Sequence, residues 1–119
     1  MITTFLDLEI YQESMALAKI VGENIKFIPR DEKDLIGQTR RCSRSIPAKI
    51  AEGYGRKYSE KEFKKYLNNS GAECNEMITH VTIIQLEKYW KQEICKMLLD
   101  RYTVLGKRIA NTAKTWRTF

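Results

Sequence analysis

Three arginines near the middle of the chain have the residue type and spacing that most clearly indicate anion binding: Arg40, Arg41 and Arg44. Their guanidinium groups present planar N–H donors that match phosphate oxygens, so the cluster predicts contact with a polyanion such as RNA. Further bases extend the cluster along the chain: Arg56, Lys57, Lys61, Lys64 and Lys65. Tyrosines that could stack on unpaired bases are interleaved with them: Tyr54, Tyr58 and Tyr66.

The charge of the chain is unevenly distributed. Residues 40–65 contain nine bases and three acids, which by themselves equal the net charge of +6. Residues 101–119 carry five bases and no acid, whereas the first 34 residues are acidic, with seven acids and four bases. This pattern predicts polyanion binding together with head-to-tail self-association. The alternative is that the arginines form intersubunit ion pairs with the acidic first helix, while the lysines form a solvated face.

The residues that could support catalysis or bind a metal are sparse. Glu52 is open to two interpretations, a catalytic base or a structural partner for an arginine or for nearby backbone amides. We favour the structural one because a lone carboxylate needs a metal or a second titrating group. His80 is the only histidine, and its spacing from Glu76 does not match the Glu-x-x-His pattern of diiron bundles. We therefore expect no catalytic residue, metal or cofactor. An enzyme such as a small nuclease is kept as a third hypothesis, after the two binding functions described at the end of this section.

Length and composition indicate one domain spanning residues 1–119. The chain is 43% hydrophobic, enough for a core, and has no run of 18 apolar residues that could span a membrane. No secretory signal is visible at the N-terminus, so we expect a cytoplasmic protein. Three cysteines lie far apart and are expected to be reduced and packed as small hydrophobes: Cys42, Cys74 and Cys95.

Hydrophobic periodicity predicts four helices and no strand. The first runs from about residue 8 to 27 and ends before Pro29. Its predicted buried face has residues at three- and four-residue spacing: Leu8, Tyr11, Met15, Ala18, Val21 or Gly22, Ile25 and Ile28. Leu17, Ile20 and Asn24 widen that face toward a second neighbour. A third helix follows a capping box at Ser59–Glu62 and buries a stripe at alternating four- and three-residue steps: Phe63, Leu67, Ser70, Cys74, Met77, Val81 and Ile84.

The second helix, about residues 33–52, contains an internal proline. Ile46 belongs to its buried stripe, and Pro47 predicts a kink there because it removes one backbone hydrogen bond without breaking the apolar spacing. We expect Gly53 to be a left-handed C-cap and Gly55 to permit a tight bend. After a turn at 86–89, a fourth helix runs from about 91 to 113 or beyond. The predicted fold is an all-α, antiparallel up-down-up-down four-helix bundle.

The run from Ser45 to Arg56, Ser-Ile-Pro-Ala-Lys-Ile-Ala-Glu-Gly-Tyr-Gly-Arg, resembles the hallmark of the 23S rRNA intervening-sequence proteins. Cys42 stands where these proteins usually have alanine, and Lys49 where asparagine is commoner. Leu8–Gln12, Phe27–Pro29 and Lys61–Leu67 extend the resemblance along the chain. It implies a four-helix bundle that assembles into a ring-like homopentamer, with no established enzymatic activity and a suggested role in nucleic-acid binding.

Two hypotheses follow for the function. The first is a non-enzymatic, homo-oligomeric protein, pentameric by the resemblance, whose basic faces contact RNA or another nucleic acid. The second is a structural or adaptor protein whose charged surfaces serve self-assembly and a protein partner. In both hypotheses the proposed contacts with the partner come from eight bases: Arg40, Arg41, Arg44, Arg56, Lys57, Lys61, Lys64 and Lys65. Five residues have a structural role: Ile46, Pro47, Glu52, Gly53 and Gly55.

Overall fold

A computed structural model of the chain describes residues 1–117. It contains four helices: α1 (Glu9–Asn24), α2 (Lys33–Tyr54), α3 (Glu60–Leu86) and α4 (Gln92–Thr115). Short 3-10 turns precede and follow α1, at Phe5–Asp7 and Ile25–Phe27. Residues 1–117 contain no strand, so the prediction of an all-α fold is confirmed. None of these helices combines the length and the apolar character that crossing a bilayer requires.

The helices pack side by side in the order of the sequence. α2 packs against α1 and α3, α3 packs against α4, and α1 also contacts α4, so the four elements enclose one core. The principal dimensions are 49 × 23 × 20 Å. A helix of 27 residues, such as α3, is about 40 Å long, so its length accounts for most of the long axis.

The buried stripe predicted for α3 is confirmed. All seven of its residues have a relative exposure of 0%, from Phe63 at the start to Ile84 at the end. α3 begins as predicted after Ser59, whose hydroxyl accepts a hydrogen bond from the amide of Glu62 at 3.2 Å. The backbone N–H of Ser59 donates to the carbonyl of Arg56, at 3.1 Å. Ser59 therefore links the preceding turn to the helix.

The buried face predicted for α1 is only partly correct. Five of its residues are buried as predicted, whereas Met15 is 46% exposed and Ile10 and Ser14 are buried in the places given to Tyr11 and Met15; the five are Leu8, Leu17, Val21, Ile25 and Ile28. One residue corresponds to a rotation of about 100°, so the first half of the helix is turned relative to the prediction. Both sets have helical spacing, and the direction of the core decides between them because α1 must fill the space between α2 and α4.

Pro47 lies inside α2 and does not end it. The helix continues to Tyr54, and Ile46, Pro47 and Ile50 are buried, as the apolar spacing predicts. The hydroxyl of Ser70 on α3 donates to the carbonyl of Ile46, at 3.3 Å, just before the proline. The bend at Pro47 stays a prediction.

The two glycines at the end of α2 have a different role from the predicted one. Neither has a positive φ angle, Gly53 lies within the helix and Gly55 caps it in right-handed geometry, so the left-handed cap was wrong. At Gly53 a Cβ atom would lie 2.6 Å from the Cβ of Tyr66 and 3.1 Å from Cδ1 of Phe63. Glycine is required there because α2 and α3 approach too closely for any side chain.

A tryptophan lies beyond each end of α4. The indole N–H of Trp90 donates to the carbonyl of Asn24 at 2.8 Å, which ties the end of α1 to the start of α4. Trp116 follows the last turn of α4 and meets the rings of Phe63 and Tyr54 edge-on, with centroids 4.8 and 6.2 Å away. These contacts close the two ends of the core.

The close approach at Gly53 makes a direct prediction. Gly53→Ala is expected to lower the free energy of unfolding by about 1–3 kcal/mol, because overpacking outweighs the higher helix propensity of alanine. Gly37→Ala, also inside α2 but with nothing within 4 Å of the new Cβ, is expected to raise it by about 0.5–1 kcal/mol. Urea denaturation followed by circular dichroism measures both. Equal effects of the two substitutions would contradict the packing role of Gly53.

Candidate nucleic-acid interface

The three arginines of α2 do not share one surface. Arg44 lies one turn after Arg40, about 40° around the helix axis, whereas Arg41 is rotated by about 100° from Arg40. Arg41 lies beside α3, where Nη2 donates to Oε2 of Glu76 at 2.7 Å and also to Gln38 at 3.1 Å. The predicted cluster therefore divides into a pair, Arg40 and Arg44, and a single arginine bound to α3.

Arg40 and Arg44 are exposed and are not neutralised by the rest of the chain. Among residues 1–117, neither side chain makes an ion pair or a hydrogen bond. Two guanidinium groups one helical turn apart repel each other weakly and attract anions. These two arginines are therefore free to contact phosphate, the role that the sequence predicts for all three arginines.

The second part of the basic surface begins where α2 ends. Arg56 is half exposed, and its guanidinium carbon lies 5.4 Å from the centroid of the Tyr66 ring, while Nη2 is 3.8 Å from Oε2 of Glu52. The side chain of Glu52 is itself 54% exposed, and it also accepts a hydrogen bond from the Tyr66 hydroxyl at 3.1 Å. The structural interpretation of Glu52, as the partner of an arginine, agrees with this geometry.

The lysines of the second part differ in their surroundings. Nζ of Lys57 donates to the hydroxyl of Tyr54 at 2.9 Å and lies 4.0 Å from the centroid of its ring. Nζ of Lys64 is 4.0 Å from Oε2 of Glu60, one turn earlier on α3. Within the described chain, the remaining two are exposed and make no ion pair: Lys61 and Lys65.

Only part of the predicted tyrosine set is available for stacking. Tyr54 is 7% exposed and packs edge-on against Phe63, so its assignment as a base-stacking residue was wrong: apolar contacts with α3 hold its ring in the core. Tyr66 is partly buried, and donation of its hydroxyl to Glu52 raises its pKa. Tyr58, in the turn between α2 and α3, is 84% exposed and presents an uncovered ring.

Sequence reasoning missed a polar network between α2 and α3 that is centred on Glu73. This carboxylate is 9% exposed and accepts from Nζ of Lys49 and from Sγ of Cys42, both at 3.0 Å. Nη1 of Arg41 is 3.6 Å away. Burial acts to raise the pKa of Glu73, but the bonds from Cys42 and Lys49 and the nearby positive charges outweigh it, so the pKa lies below its usual value.

The same network changes the role of two α2 residues. Lys49, one of the nine bases counted in the basic stretch, is committed to Glu73 and contributes nothing to an anion-binding surface. The Cys42 thiol is fully buried, and burial together with the carboxylates of Glu73 and Glu76 raises its pKa far above the usual value. Spacing along the chain gives no sign of this network, because Glu73 is 24 residues from Lys49 and 31 from Cys42.

Comparison with known proteins agrees with the helical architecture and the hallmark run in α2. A family model described as 23S rRNA-intervening sequence protein matches residues 6–111. The chain belongs to this family. A crystal structure of a protein with unknown function from the S23 ribosomal protein family of Bacteroides thetaiotaomicron superposes with a TM-score of 0.79, at 23% identity, over 89% of this chain and 99% of that one. That likeness establishes a shared fold only. No protein of curated function matches the chain.

In this member of the 23S rRNA-intervening sequence family, acids of α1 pair with bases of α4 in the same chain. Arg101 makes a two-pronged contact with Glu13, at 2.7 and 2.9 Å. Arg108 donates to Glu9 at 2.5 Å, at the more exposed end of the interface. Two of the acids that the sequence offered for head-to-tail association are therefore engaged within the subunit.

The Glu13–Arg101 pair predicts a pH-dependent contribution to stability. Hydrogen bonds from Arg101 hold the pKa of Glu13 below its ordinary value of 4.5, so the pair stabilises the fold above pH 4.5 and the contribution is lost as the pH falls through the lowered pKa. Glu13→Gln is expected to cost about 0.5–1 kcal/mol at pH 7 and less at pH 3.

The matched control is Glu9→Gln. Glu9 also bonds to an arginine of α4, but its side chain is 80% exposed, so the substitution is expected to change stability very little at either pH. Urea denaturation of the three proteins at pH 7, 5 and 3 provides the comparison. A cost of Glu13→Gln that is the same at pH 7 and pH 3 would show that the lost ion pair is not its cause.

Proposed function

We propose that this protein is a non-enzymatic RNA-binding protein in which Arg40 and Arg44 make the central phosphate contacts. The observation that carries the proposal is that these two exposed guanidinium groups have no acidic partner within the described chain, whereas Arg41, Arg101 and Arg108 each have one. Binding an anion there displaces only counterions and breaks no internal ion pair. The family name, which refers to insertions in 23S rRNA, is consistent with this choice of polyanion.

The second contact region lies at the end of α2 and the start of α3. Arg56, Lys61 and Lys65 provide charge there, and the uncovered ring of Tyr58 offers a stacking platform for an unpaired base. Lys57 and Lys64 extend the region. Ten residues of helix separate Arg44 from Tyr54, a distance of about 15 Å along the axis, so one RNA segment could contact both regions.

We further infer an up-down-up-down order of the helices, with α2 bent at Pro47. The connections between helices are five to eight residues long and span at most about 28 Å. α2, α3 and α4 contain 22 to 27 residues and are each about 33–40 Å long. The five-residue connections after α2 and after α3 reach at most about 18 Å and cannot return along these helices to begin the next one at the same end, which supports antiparallel neighbours there.

The proposal includes assembly of several copies, with the homopentamer that the family resemblance implies as the expected state. A ring would repeat the Arg40–Arg44 pair around its axis, and linked weak contacts raise the overall affinity without any new contact. Sedimentation velocity at several protein concentrations tests this part independently of RNA. A monomer at all concentrations would rule out the assembly.

The alternative function is that of an adaptor that binds a protein partner. One observation favours it: an open groove of about 400 Å³ runs between α1 and α2, with an apolar floor and two bases at its edges. Its lining consists of Met15, Ala18, Lys19, Gly22, Arg44 and Pro47. An acidic, amphipathic helix from another protein would fit this chemistry. Because Arg44 belongs to both surfaces, RNA and such a partner would compete.

The salt dependence of RNA binding tests the role of the arginine pair. Each phosphate contact contributes about 0.7–0.9 to the slope of log K against log salt concentration, so Arg40→Ala with Arg44→Ala should reduce the slope by about 1.4–1.8 per bound protomer. Fluorescence anisotropy with a labelled RNA hairpin that has a single-stranded tail, from low to moderate salt, gives the slope.

The control for this experiment is Lys91→Ala with Lys96→Ala, which removes the same formal charge from exposed positions at the start of α4. It should leave the slope unchanged and lower the affinity only slightly. No binding by the native protein at low salt would refute RNA binding. Equal slopes for the native protein and the arginine double variant would refute the assignment to Arg40 and Arg44.

A further inference from the structure

Three side chains with metal-binding chemistry meet between α2 and α3. They are the thiol of Cys42, the carboxylate of Glu76 and the imidazole of His80, and one ligand atom of each lies within 4.8 Å of the others. We propose that this chain binds a Zn²⁺ ion through Cys42, Glu76 and His80, with water in the fourth position. No metal was expected from the sequence because His80 is the only histidine and does not follow Glu76 at the Glu-x-x-His spacing. Cys42, 34 residues before Glu76, joins these two side chains through the packing of α2 on α3.

The geometry is close to that of a tetrahedral zinc site. Zn–S, Zn–N and Zn–O bonds of about 2.0–2.3 Å place neighbouring ligand atoms about 3.4–3.6 Å apart. Nε2 of His80 is already 3.2 Å from Oε2 of Glu76, its neighbour one turn earlier on α3. Separations of up to 4.8 Å close by about 1 Å when the side chains turn, without movement of either helix.

The three ligands differ in burial, which gives the site a water-excluded inner side and an outer side that a metal ion can reach. Cys42 is fully buried at the back of the site. The side chain of His80 is 15% exposed and that of Glu76 is 40% exposed, so the opening faces solvent on the side of α3. A metal ion can enter from that side, and a water molecule can occupy the remaining position.

The charges of the site also suit a divalent cation. Binding releases the Cys42 proton to solvent, after which one thiolate, one carboxylate and one neutral imidazole balance the charge of Zn²⁺. Arg41 contacts Glu76 in the metal-free protein, but its side chain is 50% exposed and also donates to Gln38. When Glu76 turns to the metal, Arg41 can keep its hydrogen bond to Gln38.

The ligand types select the kind of metal. Thiolate and imidazole favour zinc and other late transition metals over Mg²⁺ and Ca²⁺, which prefer sites made only of oxygen. Glu73 accepts from the Cys42 sulfur and from Nζ of Lys49, both at 3.0 Å, so it neutralises the charge of that lysine beside the site. The ion would join the middle of α2 to the C-terminal half of α3.

Cobalt substitution provides the first test. Co²⁺ added to the untagged, fully reduced protein should produce a near-ultraviolet thiolate-to-cobalt charge-transfer band that saturates at one equivalent, and Zn²⁺ should remove the band by displacement. Cys42→Ser is expected to abolish it. The matched control is Cys95→Ser, another buried cysteine that is not part of the site and whose loss should leave the band intact.

A second measurement keeps the proposal falsifiable if Cys42→Ser does not fold. Glu76→Gln alters a partly exposed side chain and is expected to fold, and it should weaken Zn²⁺ binding at least tenfold in competition with a chromogenic chelator. His80 is the only histidine, so its imidazole proton resonances should shift in step with one equivalent of Zn²⁺. Absence of the cobalt band, its loss in Cys95→Ser, or native affinity in Glu76→Gln would each overturn the proposal.

Discussion

The close packing of α2 on α3 is the constraint on which the rest of the structure depends. At Gly53 the two helices approach too closely for a side chain, and at Ser70 a hydroxyl reaches the carbonyl of Ile46 across the interface. These contacts fix the rotation of α2 about its axis. That rotation turns Arg41 toward α3 and leaves Arg40 and Arg44 in solvent, so a steric requirement in the core decides which charges reach the surface.

The count of 21 lysines and arginines therefore overstates the number of positive charges that are free to contact a partner. Lys49 and Arg41 face the carboxylates of α3, and Arg101 and Arg108 join α4 to α1. Such pairs do little for stability when they are exposed, but they specify which helix faces lie together. Within the described chain, Arg40 and Arg44 on α2 and Lys61 and Lys65 at the start of α3 are exposed bases without an acidic partner, and each pair is spaced by one helical turn.

Local features of the fold could be predicted from the sequence, and features that depend on distant residues could not. The α3 stripe is long and regular, so Phe63 to Ile84 were placed correctly. In α1, Met15 has the same helical spacing as the buried Ser14 and is the more apolar of the two, so only the positions of α2 and α4 show which one faces the core. Gly53 was assigned to a cap because nothing in its own segment reveals that Tyr66 lies against it. The Glu73 network joins residues that are 24 and more positions apart.

The placement of the two tryptophans gives the molecule a pair of natural optical reporters. α4 separates Trp90 from Trp116 by about 36 Å of helix, so each indole senses one end of the bundle. Trp90 emission reports on its bond to Asn24, and Trp116 emission reports on its aromatic neighbours near the turn between α2 and α3. With one indole replaced at a time, fraying at either end becomes visible separately from global unfolding, and an event at the α2–α3 turn can be followed without any attached dye.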